Sequence, residues 1–367
     1  MRWIISIAIL CLTVSFKCIA QVSFGANYLG GKVMLHTSKI YIQGPDYSQA
    51  LELSYQRQSR GHQYWHKRYG YPETSFNMAL VHYGRSELGS AIGIYPAIQF
   101  SFLKTPKMNF YFRIGGGIAY ATQRWNRLPY SDSMNNILGS RINNFTMIQL
   151  GGKMNITPHW SIRTGLHFFH ISNAAARQPN YGINTSGFFI GGAYCPQYHS
   201  TQVASGSKGR TPYKKFTMGA TASISFAEDK VADGPIYPNY TFGILSGWHW
   251  REKFRSSIGL DAAFSEKMRS FYKNNYLFPG KEKSQAWRYS VFLAHEFLWG
   301  RVGLPLQLGY YLNRPLGGEP IYQKVGLNYH FIRNLRKYKL GDSYLMLQLK
   351  THYASAEYVE MGLGILF

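Results

Sequence analysis

Apolar residues alternate with polar or small residues along most of this 367-residue chain. In segment 110–120 one face carries Phe110, Phe112, Ile114, Gly116, Ile118 and Tyr120, and the other carries Tyr111, Arg113, Gly115, Gly117 and Ala119. The same period of two recurs at 302–310 and at 323–331. Because successive side chains of a strand point to opposite sides, this period predicts β-strands.

The pattern predicts sixteen strands, with boundaries good to a few residues and fourteen as the lower count. The predicted strands are 26–37, 48–59, 75–83, 88–104, 107–123, 142–156, 158–173, 183–196, 212–227, 238–251, 253–267, 285–298, 300–313, 321–335, 342–352 and 356–367. They are long enough for tilted membrane spans, and we expect no helical segment between them. The fold expected is therefore an all-β, antiparallel transmembrane barrel.

A soluble β-sandwich also alternates, and it is the competing fold. The length of the strands and their recurrence over the whole chain favour the membrane barrel. The last strand ends at Phe367 with an apolar odd face. A terminal strand of this kind resembles the signal that the barrel assembly machinery recognises, so we expect that machinery as a partner.

An even strand number places both termini in the periplasm and the longer links, the outer loops, after odd strands. Segments 126–141, 174–182 and 268–284 obey this rule, whereas 60–74 and 197–211 are inner links that are too long. The pattern does not account for 60–74. Segment 197–211 has eight predicted strands on each side, so two eight-stranded units are an alternative. We favour one larger barrel.

The first twenty residues predict a cleaved signal peptide. Arg2 precedes an apolar run, 4–14, that is too short to span a bilayer, and Ala20 is a small residue suited to cleavage before Gln21. Cys18 would suit a lipoprotein, but the residues before it fit a lipobox poorly. We therefore expect a barrel over 21–367, integral to the outer membrane.

The composition supports membrane-spanning strands and limits the classes of expected partner. Aromatic residues make up 16% of the chain and charged residues only 16%, which suits strands with aromatic girdles. The formal charge of +23 favours anionic partners. The basic residues are scattered and form no nucleic-acid-binding motif, so we expect no nucleic acid partner. The phosphates of lipopolysaccharide and other outer-membrane lipids are the expected partners.

A histidine and a serine share the apolar face of the seventh predicted strand. His170 and Ser172 are two residues apart, about 7 Å along a strand, so their side chains can meet by a hydrogen bond. Such a bond is what a base-activated hydroxyl nucleophile requires. The alternative is that both residues bind water or lipid headgroups near the membrane boundary.

The residues that follow resemble a known family. The runs 170–174, His-Ile-Ser-Asn-Ala, and 178–184, Gln-Pro-Asn-Tyr-Gly-Ile-Asn, are similar to the signature of the lipid A 3-O-deacylase, or acyloxyacyl hydrolase-like, outer-membrane family. That signature is His-x-Ser-Asn, a loop with Pro-Asn-x-Gly, and an acidic residue opening the next strand. The resemblance covers 22–196. Residues 212–367 are additional strands, without a counterpart in the small eight-stranded members.

The resemblance implies a serine esterase that removes an ester-linked acyl chain from lipid A. Ser172 would be the nucleophile and His170 its base. The family acid that orients the histidine is replaced here by Asn184. An Asn can orient an imidazole but cannot stabilise an imidazolium by charge, so activity could be lower or another acid could substitute. The alternative for Asn184 is ordinary turn chemistry after Gly182.

The resemblance also suggests substrate contacts. Asn173 and Asn180 in the loop are oxyanion candidates, with loop capping as the alternative. Arg177 could contact a lipid A phosphate or simply be solvated. The acyl chain would lie along the outer wall near Phe168 and Phe188, beside Leu166 and Ile190.

No cofactor or metal is expected. His62 and His66 are four residues apart but lack the companions of a zinc site. The rival to an enzyme is a non-enzymatic barrel with a degenerate site, either a pore or a lipopolysaccharide-binding protein.

Overall fold

A computed structural model describes residues 21–105, 107–126, 135–197, 215–229, 231–250, 253–332, 342–353 and 355–367. The predicted signal peptide, 1–20, lies outside the described residues, and so does most of the junction at 197–211. The cleavage of 1–20 as a signal peptide remains a prediction.

The described residues form sixteen strands, as the alternation predicts. The strands are β1 Val22–Met34, β2 Ser48–Gln58, β3 Glu73–His82, β4 Ser90–Lys104, β5 Met108–Ala121, β6 Ile142–Asn155, β7 Trp160–Ser172, β8 Ile183–Tyr194, β9 Phe216–Glu228, β10 Ile236–Trp250, β11 Phe254–Ser265, β12 Trp287–Trp299, β13 Val302–Tyr311, β14 Ile321–Ile332, β15 Asp342–His352 and β16 Ser355–Leu366. All of the paired strands are antiparallel. The all-β transmembrane barrel fold is confirmed.

The strands close into two eight-stranded barrels, so the single larger barrel that we favoured is wrong. The first barrel closes where β8 pairs with β1, with Ile190 opposite Tyr28. The second closes where β16 pairs with β9, with Leu363 opposite Ala222. Period-two alternation is the same for either closure, because it reports the faces of a strand and not its partner. Eight strands also suffice for a barrel whose lumen is filled by side chains.

Within the described residues, three short helices depart from the purely strand-and-loop prediction. They are α1 Tyr64–Arg68, α2 Glu266–Asn274 and α3 Glu282–Gln285. Helix α1 occupies part of the long inner link that the pattern left unexplained. Helix α2 begins where the Ser265 side chain accepts a hydrogen bond from the Met268 amide. No helix in the described part of the chain combines the length and apolar character needed to cross a membrane.

The outward faces of the barrels are apolar. On β5, Phe110, Phe112, Ile118 and Tyr120 are exposed, whereas Arg113 between them is buried. Leu306 and Leu308 on β13 show the same exposure in the second barrel. An exposed apolar band around a closed barrel is the surface that a lipid bilayer covers.

Ion pairs fill the lumen of the first barrel. Glu52 pairs with Arg113 at 2.9 Å and also accepts a hydrogen bond from the Tyr95 hydroxyl. Arg163 pairs with Glu73 at 2.9 Å. Since a buried charge is tolerated only with a partner, these pairs bind the strands to one another across the interior.

The second lumen is packed in the same way. Lys324 lies 3.0 Å from Asp261 and 3.1 Å from Glu360, and Arg255 lies 2.7 Å from Glu296. The space left among these side chains is about 40 Å³, room for a few waters. Both filled lumens disfavour the pore interpretation.

The two barrels contact each other at both ends. At the inner links, the Tyr69 hydroxyl donates to the Lys253 carbonyl at 3.2 Å, and the Phe100 and Trp299 rings lie 5.4 Å apart. At the outer end, Arg177 of the β7–β8 loop pairs with Glu228 at the end of β9. The second barrel therefore touches the loop that carries the sequence motif.

Candidate active site

Strand register brings the motif residues together on the outside of the first barrel. His170 on β7 lies directly opposite Asn184 on β8. Leu166 and Phe188, which have the same parity, are exposed on the outer wall, and Phe188 is 72% exposed. The structure therefore places His170, Ser172 and Asn184 on the lipid-facing side, as the alternation predicts.

The three side chains form a continuous hydrogen-bonded chain. The distance from Ser172 Oγ to His170 Nε2 is 2.8 Å, and that from His170 Nδ1 to Asn184 Oδ1 is 2.6 Å. Because an amide oxygen only accepts, His170 Nδ1 carries the proton and Nε2 is free to accept from the Ser172 hydroxyl. This is the arrangement in which an imidazole can activate a hydroxyl as a nucleophile.

The loop between β7 and β8, 173–182, covers the serine. Ser172 is only 6% exposed, and His170 is partly buried. Gly182 ends the loop with φ +76°, and a Cβ there would lie 2.7 Å from His170 Cε1 and 3.1 Å from Ser172 Cβ. Two constraints require glycine at this position. The backbone is left-handed, and the imidazole occupies the space that a side chain would fill.

Hydrogen bonds inside the loop engage the oxyanion candidates. The Asn173 amide N–H donates to Asn180 Oδ1 at 2.9 Å, and Asn173 Nδ2 donates to Ser140 Oγ at 3.0 Å. Asn173 Oδ1 accepts from the Arg177 amide. For Asn173, these contacts correspond to the alternative role, loop capping. Asn180 Nδ2 makes no hydrogen bond to the described residues, so it remains available as a donor.

Arg177 is held by the second barrel. Its Nη1 lies 2.9 Å from Glu228 Oε1, and the side chain is 45% exposed. The neighbouring Gln178 amide also donates to the Glu228 carboxylate. The predicted contact of Arg177 with a lipid phosphate is therefore limited to the guanidinium nitrogens that Glu228 leaves free.

The remaining predicted contacts lie on the outer wall. Phe168 is half-buried on β7, and Ile190 is exposed on β8 beside Phe188. They share the outward face of Ser172 but lie farther along the strands, since Phe188 is opposite Leu166 and Ile190 is opposite Thr164. An acyl chain lying along the wall would pass over them.

Sequence reasoning missed three residues at the site. Asn144 and Thr146 on β6 lie opposite Ser172 and His170, and His36 follows β1 and bonds to Asn184. The alternation of strand faces could have identified Asn144 and Thr146, since both are even-numbered polar residues near the outer end of β6. No sequence signal marked His36, because strand pairing across the closure brings it there.

No group of three metal-ligating side chains occurs among the described residues, so the geometry adds no metal centre to the site.

Fold and surface together define an integral outer-membrane β-barrel protein. Residues 49–192 match the family model for lipid A 3-O-deacylase (PagL), and residues 200–367 match that for the acyloxyacyl hydrolase C-terminal domain. The resemblance of the chain to the lipid A 3-O-deacylase and acyloxyacyl hydrolase-like outer-membrane family is thereby confirmed. The second barrel also has a match of its own.

Several solved barrel structures are similar to the chain or to part of it. The outer membrane enzyme PagL is 17% identical, with a TM-score of 0.33, and the match covers 46% of this chain and 97% of that one. Neisserial surface protein A is 10% identical, with a TM-score of 0.33 and coverage of 47% and 96%. A mutant Rh. blastica porin is 8% identical, with a TM-score of 0.21 and coverage of 95% and 100%. No curated protein matches the chain.

Replacing Gly182 should test the packing around His170. We expect Gly182→Ala to displace the imidazole and to weaken its bond to Ser172, because the added methyl group would lie 2.7 Å from the ring. The measurement is the ¹H–¹⁵N spectrum of the His170 ring in the refolded protein. The matched control is Gly317→Ala, where φ is +74° but no atom lies within 4 Å of the added methyl. Both variants should lose about 1 kcal/mol of stability from backbone strain. An unchanged His170 ring spectrum in Gly182→Ala would contradict the packing described here.

Proposed function

We propose that the protein is an outer-membrane serine esterase that removes an ester-linked acyl chain from lipid A. The observation that carries this proposal is the hydrogen-bonded series Ser172, His170 and Asn184 on the lipid-facing wall. A substrate lipid in the same leaflet reaches an outward-facing hydroxyl by lateral diffusion. The filled lumen is then no obstacle.

Acyl transfer begins at the serine. Ser172 Oγ attacks the ester carbonyl carbon while His170 Nε2 takes the hydroxyl proton. The tetrahedral intermediate collapses, the alcohol oxygen of the ester leaves, and His170 returns the proton to that oxygen. Water then attacks the acyl-serine, with the same imidazole as base, and releases the fatty acid and free Ser172.

Asn184 keeps His170 in the productive tautomer. Its amide oxygen accepts from Nδ1, which leaves Nε2 unprotonated toward Ser172. A neutral amide offsets less of the positive charge that develops on the imidazole than a carboxylate does. The proposal therefore implies a slower reaction than an acid at position 184 would give.

The developing oxyanion needs a donor near Ser172. We assign this role first to Asn180, because its amide nitrogen is free of hydrogen bonds to the described residues and its oxygen is fixed by the Asn173 backbone. The phosphates of lipid A would meet the basic outer loops, including the free guanidinium nitrogens of Arg177.

Binding of lipopolysaccharide without hydrolysis is the second candidate. The presence of Asn184 where the family signature has an acid favours it, since a weakened catalytic series could retain only affinity. It predicts that substitution of Ser172 leaves the acyl pattern of lipid A unaltered.

The decisive substitution is Ser172→Ala. We expect cells that express the wild-type chain to show lipid A lacking one acyl chain by mass spectrometry, and Ser172→Ala to abolish this species, since Ser172 supplies the hydroxyl that contacts His170. Ser186→Ala is the matched control, because Ser186 lies on the same face of β8 but contacts Met34. The control should retain the wild-type pattern. Identical lipid A in wild-type and Ser172→Ala cells, at equal barrel abundance, would remove the esterase proposal.

A further inference from the structure

We propose that His36 is a positioning residue that sets the orientation of the Asn184 amide and thereby keeps His170 able to act as a base. This inference rests on the proposed esterase function. It gives the site a fourth member that lies outside the resemblance to the family motif.

His36 comes to the site through the closure of the barrel. Met34 at the end of β1 pairs with Asn184 on β8, and His36 follows two residues later on the same side. The distance from Asn184 Nδ2 to His36 Nδ1 is 3.0 Å. A single line of hydrogen bonds therefore runs from Ser172 through His170 and Asn184 to His36, across three neighbouring strands.

The orientation of the Asn184 amide decides which nitrogen of His170 is free. With Oδ1 toward His170, Nδ1 holds the proton and Nε2 accepts from Ser172. With the amide reversed, its NH₂ group donates to Nδ1, the proton moves to Nε2, and the imidazole can no longer take a proton from Ser172. Both orientations satisfy the hydrogen bonds, so a further contact must select between them.

His36 makes that selection in the tautomer that carries its own proton on Nε2, because its Nδ1 then accepts from the Asn184 NH₂ group. An acceptor at position 36 requires the Asn184 NH₂ group to face it, and this turns Oδ1 toward His170. A carboxylate at position 184 would need no such partner, since both of its oxygens accept. The asymmetry of the amide explains why a second histidine is needed beside an Asn.

Three substitutions at His36 differ in hydrogen-bonding capacity. His36→Gln supplies an acceptor together with a donor, as neutral His36 does, and should keep the deacylation rate within about twofold. His36→Phe supplies neither donor nor acceptor and should lower the rate about fivefold, in the range of one lost hydrogen bond. His36→Lys supplies only donors and should lower it further, by more than about tenfold, because it favours the reversed amide.

A second substitution tests the mechanism behind this order. In an Asn184→Glu background the three His36 variants should have nearly equal rates, because a carboxylate presents an acceptor to His170 in either orientation. Equal rates for His36→Gln, His36→Phe and His36→Lys in the native background would overturn the proposal. The proposal would also be overturned if the three variants kept the same order of deacylation rates in the Asn184→Glu background and this order followed the melting temperatures of the barrel.

The ring ¹⁵N shifts of His170 separate this inference from the esterase proposal. The wild-type and His36→Gln rings should be protonated at Nδ1, and the His36→Lys ring should shift toward the Nε2-protonated tautomer. This readout needs no substrate. A shifted tautomer without any deacylation by the wild type would uphold the role of His36 and reject the esterase, and an unshifted tautomer would reject the role of His36.

A different contact carries a second inference, which also rests on the proposed function. We infer that the second barrel, through Glu228, holds the β7–β8 loop in its working conformation. Glu228 is 1% exposed, and its carboxylate accepts from Arg177 Nη1 at 2.9 Å and from the Gln178 amide. Both donors come from the first barrel, so this buried charge is satisfied by the loop.

The loop needs such a restraint. Ala174 and Ala175 have φ values of 53° and 62°, a left-handed conformation that non-glycine residues adopt only when the surroundings enforce it. These residues lie between Ser172 and Arg177. Glu228 binds the far side of the same turn, and it thereby fixes the segment that also carries Asn180.

Hydrogen exchange of the full-length protein tests the restraint. Glu228→Gln should speed amide exchange in 173–182 by about tenfold or more, because the ion pair with Arg177 and the strong bond to the Gln178 amide are weakened. Glu319→Gln, at an exposed position in another outer loop, is the control and should leave exchange unchanged. Glu228→Gln should lower the kcat of deacylation with little change in KM. Adding Arg177→Ala to Glu228→Gln should cause little further loss, because both substitutions remove the same contact. Unchanged exchange in 173–182 would overturn the inference whether or not the protein is an esterase.

Discussion

The alternation of side chains in a closed antiparallel barrel is the constraint on which the rest of this structure depends. Once a barrel closes, each residue of a strand faces either the lumen or the membrane, and its neighbour faces the other way. This parity places Arg113 and Glu52 in the interior, where they neutralise each other. The same parity places His170 and Ser172 on the outer wall. A shift of one residue in β7 would bury the pair in the lumen, away from any lipid.

The candidate site extends beyond the strand that carries Ser172. The hydrogen bonds from Ser172 reach the end of β1, and the loop above it is bound by a carboxylate of the second barrel. His170 is oriented mainly by neutral groups, because the amide of Asn184 occupies the position where the family signature has an acid. Such a site depends on the direction of each hydrogen bond more than on charge. In the proposed mechanism, this dependence gives the strand closure and the second barrel a role in the chemistry at Ser172.

Much of this could be predicted from the sequence, because strand faces and the pairing of nearby residues are local properties. The sixteen strands, the outward face of His170 and the proximity of Asn184 follow from alternation and from one hairpin. The closure into two barrels could not be predicted, since it depends on which distant strand β8 meets. His36 and Glu228 reach the site only through that closure and through contact between the barrels.

The central claim is that Ser172 is an activated nucleophile on the barrel face that points toward the outer leaflet. It is tested most directly by adding a long-chain alkyl fluorophosphonate, which reacts with activated serines, to bilayers that hold the purified protein. The account predicts one covalent adduct per chain, found by peptide mass spectrometry on the segment that contains Ser172, and faster labelling than with a short-chain, water-soluble analogue. An unlabelled Ser172 would contradict it. Equal labelling of this segment in the wild type and in Ser172→Ala would contradict it as well.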